Sequence, residues 1–342
     1  MRRNRRGSVL IVVLWSLFFM AMLAVAINSY VRPQMEFSSR LSANTRMYYI
    51  ARAGVQRAIF EVENDETETY DSLYDSWGNN DAAFNNVSFG GGKFSVIRPE
   101  PPGPSAGKGT SAAQAGESKP QYGLIDEESK ININKAPHDV LKNLFEKMAG
   151  VESKEADGIA DCILDWVDKD DSLHKDGKED DYYQSLGDPY HCKNGPFEAI
   201  EELLLVAGVT RESFDKVKDI ITIYGNGTVN VNTADARVLE VLGLTKEASE
   251  SIVSFRSGRN SKKEGEIPDN VFTNVSAIAG VLNKAGASDG GASLISASAM
   301  LGVKSDNFRG TVKGSLGSSG RSETITFVYD RNDKIIKYWR EE

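Results

Sequence analysis

The most chemically suggestive stretch of the sequence is an acidic segment near its middle. Between Asp126 and Asp188 there are 18 Asp or Glu residues against 8 Lys, in a 342-residue chain whose net charge is -9. The densest part reads DWVDKDD from Asp165 and DGKEDDYY from Asp176, with a glycine that permits a tight turn. Several carboxylate oxygens can therefore converge on one hard cation, and calcium takes six to eight oxygen ligands. The segment indicates a calcium site without EF-hand spacing; the alternative is a solvated acidic loop.

Two cysteines, Cys162 and Cys192, flank the acidic segment and could form a disulfide. An oxidising compartment outside the inner membrane permits such a bond, and closing a loop of about 31 residues contributes roughly 3–4 kcal/mol in the chain-entropy model. The alternative is a pair of buried free thiols, which sequence spacing does not distinguish from a disulfide. Cys162 and Cys192 are therefore a candidate disulfide.

Other site chemistries find little support in the sequence. The three histidines and two cysteines lack the C-x-x-C or H-x-x-x-H spacing of zinc sites. There is no G-x-S-x-G elbow, no Walker loop and no recognisable Cys-His pair. The sequence therefore predicts that the protein is not an enzyme and has no catalytic residue.

The N-terminus predicts a membrane anchor. Residues 9–27 contain one polar residue, Ser16, and as a helix they cover about 28 Å of hydrocarbon. Four arginines precede them and favour a cytoplasmic N-terminus, which places the rest of the chain across the membrane. The alternative is a removable secretory signal, because residues 24–26 are small and a cleavage site could follow them. That alternative would leave a free periplasmic scaffold that begins near Ile27.

The two ends of the remaining chain predict an α+β body. The helix continues over residues 8–64, with Leu41, Tyr48, Val55 and Val62 at seven-residue intervals on one face. Residues 65–98 end in a predicted strand, and residues 303–342 alternate with period two as an antiparallel meander. The helix stripe would cover the apolar face of this sheet.

The middle of the chain predicts a large helical insert. A Pro- and Gly-rich stretch at residues 99–121 predicts a flexible linker. After it, the pattern from Ile131 to Leu141 recurs from Val229 to Leu239 at an offset of 98, with an asparagine in each copy as a natural helix N-cap or turn former. Helix-hairpin-helix turns then indicate two all-helical, SAM-like domains at residues 122–226 and 227–302.

Helix-hairpin-helix modules can also hold nucleic-acid phosphates. The first copy is acidic and argues against this use, because phosphate binding needs Lys and Arg. The second copy is more permissive because it has several basic residues, which are Lys246, Arg256, Arg259, Lys262 and Lys263. A membrane-anchored DNA-binding receptor is therefore the alternative function, although we expect no nucleic acid as a partner.

The N-terminus as a whole resembles the type IV prepilins, whose basic leader ends in glycine and is cut there by a prepilin peptidase. This resemblance implies that residues 1–7 are a leader and that the cut lies between Gly7 and Ser8. Most members of the class have a glutamate five residues after the cut, where this chain has Val12. A carboxylate in a membrane is costly without a partner, and a subunit with no neighbour above it needs none. In lacking this glutamate the chain resembles the minor pseudopilin K family of type II secretion.

Resemblance to the minor pseudopilin K family extends over almost the full chain and carries further expectations. It implies a position at the tip of the type II secretion pseudopilus, initiating or capping its assembly for export across the outer membrane. The implied partners are minor pseudopilins I and J, bound through the N-terminal helix. The implied location is the inner membrane, crossed once, with the bulk of the chain in the periplasm.

The same resemblance supports the calcium site. The strings D-W-x-D-x-D and G-x-E-D-x-Y-Y are similar to the region where the family binds calcium. The ligands implied in this sequence are Asp168, Asp170, Asp171, Glu179 and Asp180.

Overall fold

The computed structural model describes residues 6–67, 69–98, 121–257, 270–284, 294, 297–317 and 320–342. Most of the predicted leader and all of the predicted linker except residue 121 lie outside these ranges.

The elements follow one another as a long helix, a few strands, a mostly helical middle and a final group of strands. The helices are α1 Arg6–Glu63, α2 Asp81–Phe84, α3 His138–Asn143, α4 Ser153–Val167, α5 Asp180–Gln184, α6 Arg211–Val217, α7 Ala236–Val241, α8 Lys246–Arg256 and α9 Ala277–Lys284. The strands are β1 Val87–Phe89, β2 Gly92–Arg98, β3 Gln121–Tyr122, β4 Ile125–Asp126, β5 Ile131–Asn132, β6 Ile221–Thr222, β7 Val229–Asn230, β8 Leu301–Gly302, β9 Asn307–Ser315, β10 Ser322–Asp330 and β11 Ile335–Glu341.

Helix α1 is 58 residues long and its first half touches no other element. Within the described ranges, it is the helix whose apolar stretch is long enough to cross a membrane, with a mean hydropathy of 2.8 in a window that is 0% buried. Side chains such as Leu10 and Phe18 are 64% and 59% exposed. An apolar surface of this length is stable in lipid or against other apolar helices, which fits a single-pass anchor.

The second half of α1 lies on the sheet. Val55 and Val62 are buried, and Tyr48 packs at the edge of the same core. Leu41, which belongs to the same predicted stripe, is 58% exposed. The predicted face is therefore correct from Tyr48 onward and wrong at Leu41, because the sheet does not reach that far along the helix.

The sheet has the strand order β1-β2-β9-β10-β11, and every pair of neighbours is antiparallel. The central pair joins the two ends of the chain, with Val96 of β2 opposite Val312 of β9. Both side chains are fully buried under α1. The predicted α+β class, a long N-terminal helix on an antiparallel sheet with a helical insert, is confirmed.

The insert between β4 and β9 contains two units that begin in the same way. Each unit opens with a two-residue strand that pairs in parallel with the end of its own unit, Ile131 with Ile221 and Val229 with Leu301. The predicted all-helical description therefore needs a correction at these pairs. The apolar residues that begin each repeat are held by backbone hydrogen bonds across the unit as well as by packing.

The repeated asparagines form equivalent bonds in the two units. Asn134 Oδ1 accepts from the Phe197 amide at 2.7 Å, and Asn232 Oδ1 accepts from the Phe272 amide at 2.8 Å. None of these asparagines caps a helix, since the residues before α3 and α7 are Pro137 and Asp235. The repeat is thus structural, and its asparagines tie turns across each unit instead of capping helices.

The chain returns to the sheet before it enters the insert. Tyr122 of β3 lies opposite Ile97 of β2, and Ile125 of β4 lies opposite Arg309 of β9. The predicted start of the first helical domain at residue 122 therefore falls within strands that extend the sheet.

Candidate cation site

The predicted calcium segment is a loop that connects α4 to α5. Helix α4 ends at Val167, and the amide of the next residue, Asp168, still donates to the Leu164 carbonyl at 2.9 Å. Below the loop, Trp166 packs edge-on against Tyr183 with ring centroids 5.2 Å apart. Both rings are buried in the core of the insert. Aromatic packing therefore fixes the two ends of the loop and sets where its carboxylates point.

Asp165 lies at the centre of this loop and is fully buried. Its Oδ1 accepts from the His174 amide at 3.0 Å and lies 2.5 Å from His174 Nδ1. Its Oδ2 is buried, and the described part of the chain offers it no hydrogen-bond donor. A Cβ on Gly177 would lie 1.8 Å from this oxygen, so only glycine allows the backbone to approach it. One oxygen of Asp165 is thus held in place and the other is left for a ligand.

Other buried oxygens around this loop also lack a hydrogen bond. Among the described residues, no nitrogen or oxygen donor reaches Asp168 Oδ1, either carboxylate oxygen of Glu179, or Asn194 Oδ1. The thiol of Cys192, a weak donor, interacts with Glu179. Leaving a buried polar atom without a partner costs about 1–3 kcal/mol, and more for a charged group. A hard cation bound by these oxygens would remove that cost. The donor set, three carboxylates and an amide oxygen, is of the type that calcium prefers.

The titration of the loop residues reflects their mutual repulsion. Burial raises the pKa of Glu179 to about 7, and the charges of Asp165, Asp168 and Asp171 add to the effect. Burial and the charges of Asp170 and Asp165 also raise the pKa of Asp168. The pKa of His174 is raised chiefly by its hydrogen bond to Asp165. The loop therefore holds more negative charge than its own cations balance, which favours a bound cation.

The structure separates the five predicted ligands into two groups. Asp168 and Glu179 contribute oxygens to the candidate site, as described above. Asp170 instead accepts from the Ser172 amide at 2.9 Å in an exposed turn, and Asp171 accepts from Asn194 Nδ2 at 3.0 Å. Asp180 accepts from the Cys192 amide at 2.9 Å and so holds the next loop.

Two residues of the site were not predicted, and they differ in how visible they are in the sequence. Asp165 stands three positions before Asp168, so the two share a face at the end of α4. This spacing in the sequence could have indicated Asp165 as a ligand. Asn194 is 15 residues beyond Glu179 and outside the acidic run, and no local pattern points to it.

The candidate disulfide is not formed. Cys162 and Cys192 are both buried free thiols. Their sulfur atoms lie 3.8 Å from the backbone oxygens of Asp176 and Asp165 respectively. Burial raises the pKa of Cys162 to about 12 and that of Cys192 to about 11, so both stay protonated and unreactive. Each thiol therefore packs beside the acidic loop as a small apolar group with its own carbonyl contact.

The basic residues of the second helical unit do not form a phosphate-binding surface where they are described. Arg256 is turned inward and donates to the carbonyl oxygens of Val231 at 2.5 Å and Ala234 at 2.6 Å. Lys246 lies 3.9 Å from Glu250. The other three predicted residues, at 259, 262 and 263, lie outside the described ranges, so the alternative of a DNA-binding receptor gains no support from these contacts.

The fold and the site define a class of protein: a pilin-like α+β body on a long helix that is apolar enough to cross a membrane, with a mostly helical insert that holds a candidate cation site. Residues 119–226 match the family model described as type II secretion system protein K. The type II secretion system protein K of Aeromonas hydrophila is 23% identical over 98% of this chain and 96% of the relative. The putative protein K of Escherichia coli K12 is 29% identical over 25% of this chain and 26% of the relative.

The chain is therefore similar to type II secretion system protein K over almost its whole length, which agrees with the resemblance seen in its sequence. Its fold is also similar to a chain in the crystal structure of the GspK-GspI-GspJ complex of enterotoxigenic Escherichia coli. The TM-score is 0.59 at 17% identity, over 91% of this chain and 96% of that chain. These relatives are named as components of a secretion system, and none is named as an enzyme.

Proposed function

We propose that this protein is a minor pseudopilin at the tip of the type II secretion pseudopilus, where it initiates or caps assembly for export across the outer membrane. The main support is the way in which the insert is fixed to the body. Asn230, at the start of the second unit, donates to the backbone oxygen of Asp71 at 3.1 Å and to Ser305 Oγ at 2.8 Å. A bulky head bonded to the pilin-like body obstructs the position of any subunit stacked above it.

The membrane helix supports the same position. Val12 stands where pilins that stack carry a carboxylate, and it is 66% exposed on α1. Since an ionised carboxylate is costly in lipid unless a partner neutralises it, a subunit with no neighbour above it is better without one. The exposed apolar half of α1 anchors the chain in the inner membrane and offers a surface for other pseudopilin helices.

The proposed partners are minor pseudopilins I and J. The structural relative was solved as a complex of GspK with GspI and GspJ. In this chain the exposed apolar surface of α1 extends from Val9 to Leu41, beyond the length that crosses the membrane. This extension provides apolar surface for neighbouring helices on the periplasmic side.

The test of the membrane and tip assignment uses intact mass and copy number. The protein purified from membranes should begin at Ser8 when the prepilin peptidase is present and at Met1 when it is absent. Quantitative mass spectrometry of sheared pseudopili should then find about one copy per filament. A mature terminus near Ile27, or a copy number that rises with filament length, would contradict the proposal.

The proposal includes calcium as the cation held by the acidic loop. Its ligands would be Asp165, Asp168, Glu179 and Asn194, where buried oxygens lack donors among the described residues. A bound calcium would supply positive charge that holds the loop between α4 and α5 in one conformation. It would serve as a structural ion, and it would make the head rigid.

Removing calcium should destabilise the protein through this loop. A chelator should lower the Tm of wild type by several degrees. Asp165→Asn should have a Tm below that of calcium-loaded wild type, whether or not calcium is present. Asp170→Asn is the matched control, since it removes a charge from an exposed turn and should retain the calcium response. Differential scanning calorimetry with and without calcium measures this. Equal melting curves for wild type in both buffers would contradict a calcium site in the loop.

A further inference from the structure

A second group of carboxylates lies far from the acidic loop, just after α1. Asp65, Asp71 and Asp75 come within one short segment, and an oxygen from each lies within 4.8 Å of the others. Asp71 is 0% exposed and Asp75 is 7% exposed. The side chain of Asp65 is 6% exposed. Three acidic side chains thus meet in an enclosed space in the pilin-like body.

One arginine from the opposite end of the chain faces this group. Arg331, at the turn between β10 and β11, donates to the two oxygens of Asp71 at 2.9 and 2.8 Å. Its Nη1 is 3.8 Å from Asp65 Oδ2, which is beyond hydrogen-bond distance. Arg331 therefore neutralises Asp71 and leaves the other two carboxylates without an equivalent partner.

The remaining oxygens are only partly satisfied. Asp75 accepts from the Ser72 amide at 2.6 Å and from the Ser72 hydroxyl at 3.2 Å. Asp65 Oδ1 accepts from the Thr67 amide at 3.2 Å. Asp65 Oδ2 is buried and accepts no hydrogen bond from any residue that the structure describes. A nearly buried carboxylate with one oxygen that accepts no hydrogen bond among the described residues therefore lies beside two others.

The charges around this group do not balance. Three carboxylates face one guanidinium, which pairs with Asp71 and leaves Asp65 and Asp75 without that cation at hydrogen-bond distance. Burial raises the pKa of Asp75 to about 7, and Asp65 and Asp71 reinforce it. Among the other described groups nearby, Tyr70 adds no positive charge, and Asp306 and Asp126 add negative ones. Oxygen-only donors of this kind match a hard divalent cation.

We propose that Asp65, Asp71 and Asp75 form a second divalent-cation site, which takes calcium. This site is separate from the acidic loop and does not depend on the proposed tip function. It lies where three parts of the chain meet. Asp71 accepts a hydrogen bond at 2.8 Å from the amide of Ser305, which lies at the end of the insert. It also accepts one from Arg331, which lies in the C-terminal hairpin. A cation bound there would link the end of α1 to the end of the insert and to the C-terminal hairpin.

The experiment counts calcium ions on the full chain in detergent by isothermal titration calorimetry with calcium chloride. Wild type should bind two ions. Glu179→Gln removes a ligand of the acidic loop and should bind one, whereas the double variant Glu179→Gln with Asp75→Asn should bind none. A Glu179→Gln protein that binds no calcium would overturn the second site, and so would a double variant that still binds one ion.

Thermal melting in the presence of a chelator tests whether Asp75→Asn is folded, independently of calcium binding. Asp75→Asn removes a repelled charge while its amide oxygen still accepts from Ser72, so without calcium it should melt at or above the wild-type temperature. Calcium should then raise its Tm by less than it raises that of wild type. An equal calcium-induced rise in Tm for the two proteins would contradict the site.

Discussion

At the scale of residues, the acidic loop separates carboxylates that hold structure from those that are left for a ligand. Asp170 and Asp180 each accept a backbone amide and so define turns. Asp168 and Glu179, by contrast, have buried oxygens that accept nothing from the described residues. All four look equivalent in the sequence, because each is an acidic residue in an acidic run. The difference depends on which backbone amides and side chains come near each carboxylate.

Gly177→Ala tests whether the close backbone approach to Asp165 shapes the site. The added Cβ would lie 1.8 Å from Asp165 Oδ2, so this carboxylate must move away from its position beside Asp168. We expect calcium affinity, measured by calorimetry on the Asp75→Asn background, to fall at least tenfold. Gly187→Ala is the control, since its Cβ would meet no described atom within 4 Å and affinity should not change. Unchanged affinity in Gly177→Ala would show that Asp165 is not a ligand.

At the scale of elements, the contact between α1 and β9 sets the geometry of the body. Gly314 of β9 lies so close to α1 that a Cβ there would be 2.6 Å from both the Ala51 nitrogen and the Met47 oxygen. On the helix side, a Cβ on Gly54 would be 2.5 Å from Val312 Cγ1. Glycines on both surfaces therefore let the helix backbone approach the sheet closely.

Gly314→Ala should destabilise the body because the obstructing atoms belong to the helix backbone. The helix must move from the sheet, and overpacking of this kind costs about 1–3 kcal/mol of unfolding free energy. Gly280→Ala in α9 is the comparison, because its Cβ would meet no described atom within 4 Å. That change should be neutral or stabilising by up to about 1 kcal/mol. Urea unfolding of both variants measures the difference, and equal stabilities would contradict the close packing.

At the scale of the whole molecule, a buried polar junction connects the sheet with both helical units. Asp126, at the end of β4, accepts from Thr233 Oγ1 at 2.5 Å and from Ser305 Oγ at 2.6 Å. Glu127 accepts from Thr222 Oγ1 at 2.5 Å. Glu128 accepts from the Asn307 amide at 3.0 Å. Three consecutive acidic residues thus hold the two units and the sheet in one arrangement, as a rigid head requires.

The stability of this junction should depend on pH through Glu128. Burial and the charge of Asp126 raise its pKa from an ordinary value of 4.5 to about 8. Since the folded protein keeps this proton longer than the unfolded chain does, its contribution is complete below pH 4.5 and is lost as the pH rises to about 8. Wild type should therefore lose up to about 3 kcal/mol of unfolding free energy at this residue between pH 5.5 and 8.

Glu128→Gln isolates that contribution because the other titrating groups remain. A rotated Asn307 amide can accept from the new side chain, since Asn307 Oδ1 has no partner among the described residues. We expect the variant to lose less stability than wild type between pH 5.5 and 8, as measured by urea unfolding at both values. If the two proteins lose the same amount, Glu128 is ionised throughout this range in the folded state.

The sequence by itself determined the main elements and the resemblance to the type II secretion protein K relatives. The apolar run of residues 9–27, the period-two alternation after residue 303 and the repeat at an offset of 98 are local patterns. Such patterns follow from the periods of helices and strands, so they are visible without any knowledge of distant contacts. They were sufficient for the α+β class, and together with the residues near Gly7 they were sufficient for the resemblance that the comparisons also found.

Only the tertiary structure decided which side chains meet. Glu179 comes close enough to Asp165 and Asp168 for their charges to raise its pKa, beside the packed rings of Trp166 and Tyr183. Asp65 faces Arg331, 266 positions along the chain, because the sheet pairs the two ends of the protein. Local sequence fixes which face of an element a residue occupies, whereas convergence of charges on one point depends on packing between elements that are remote in the sequence.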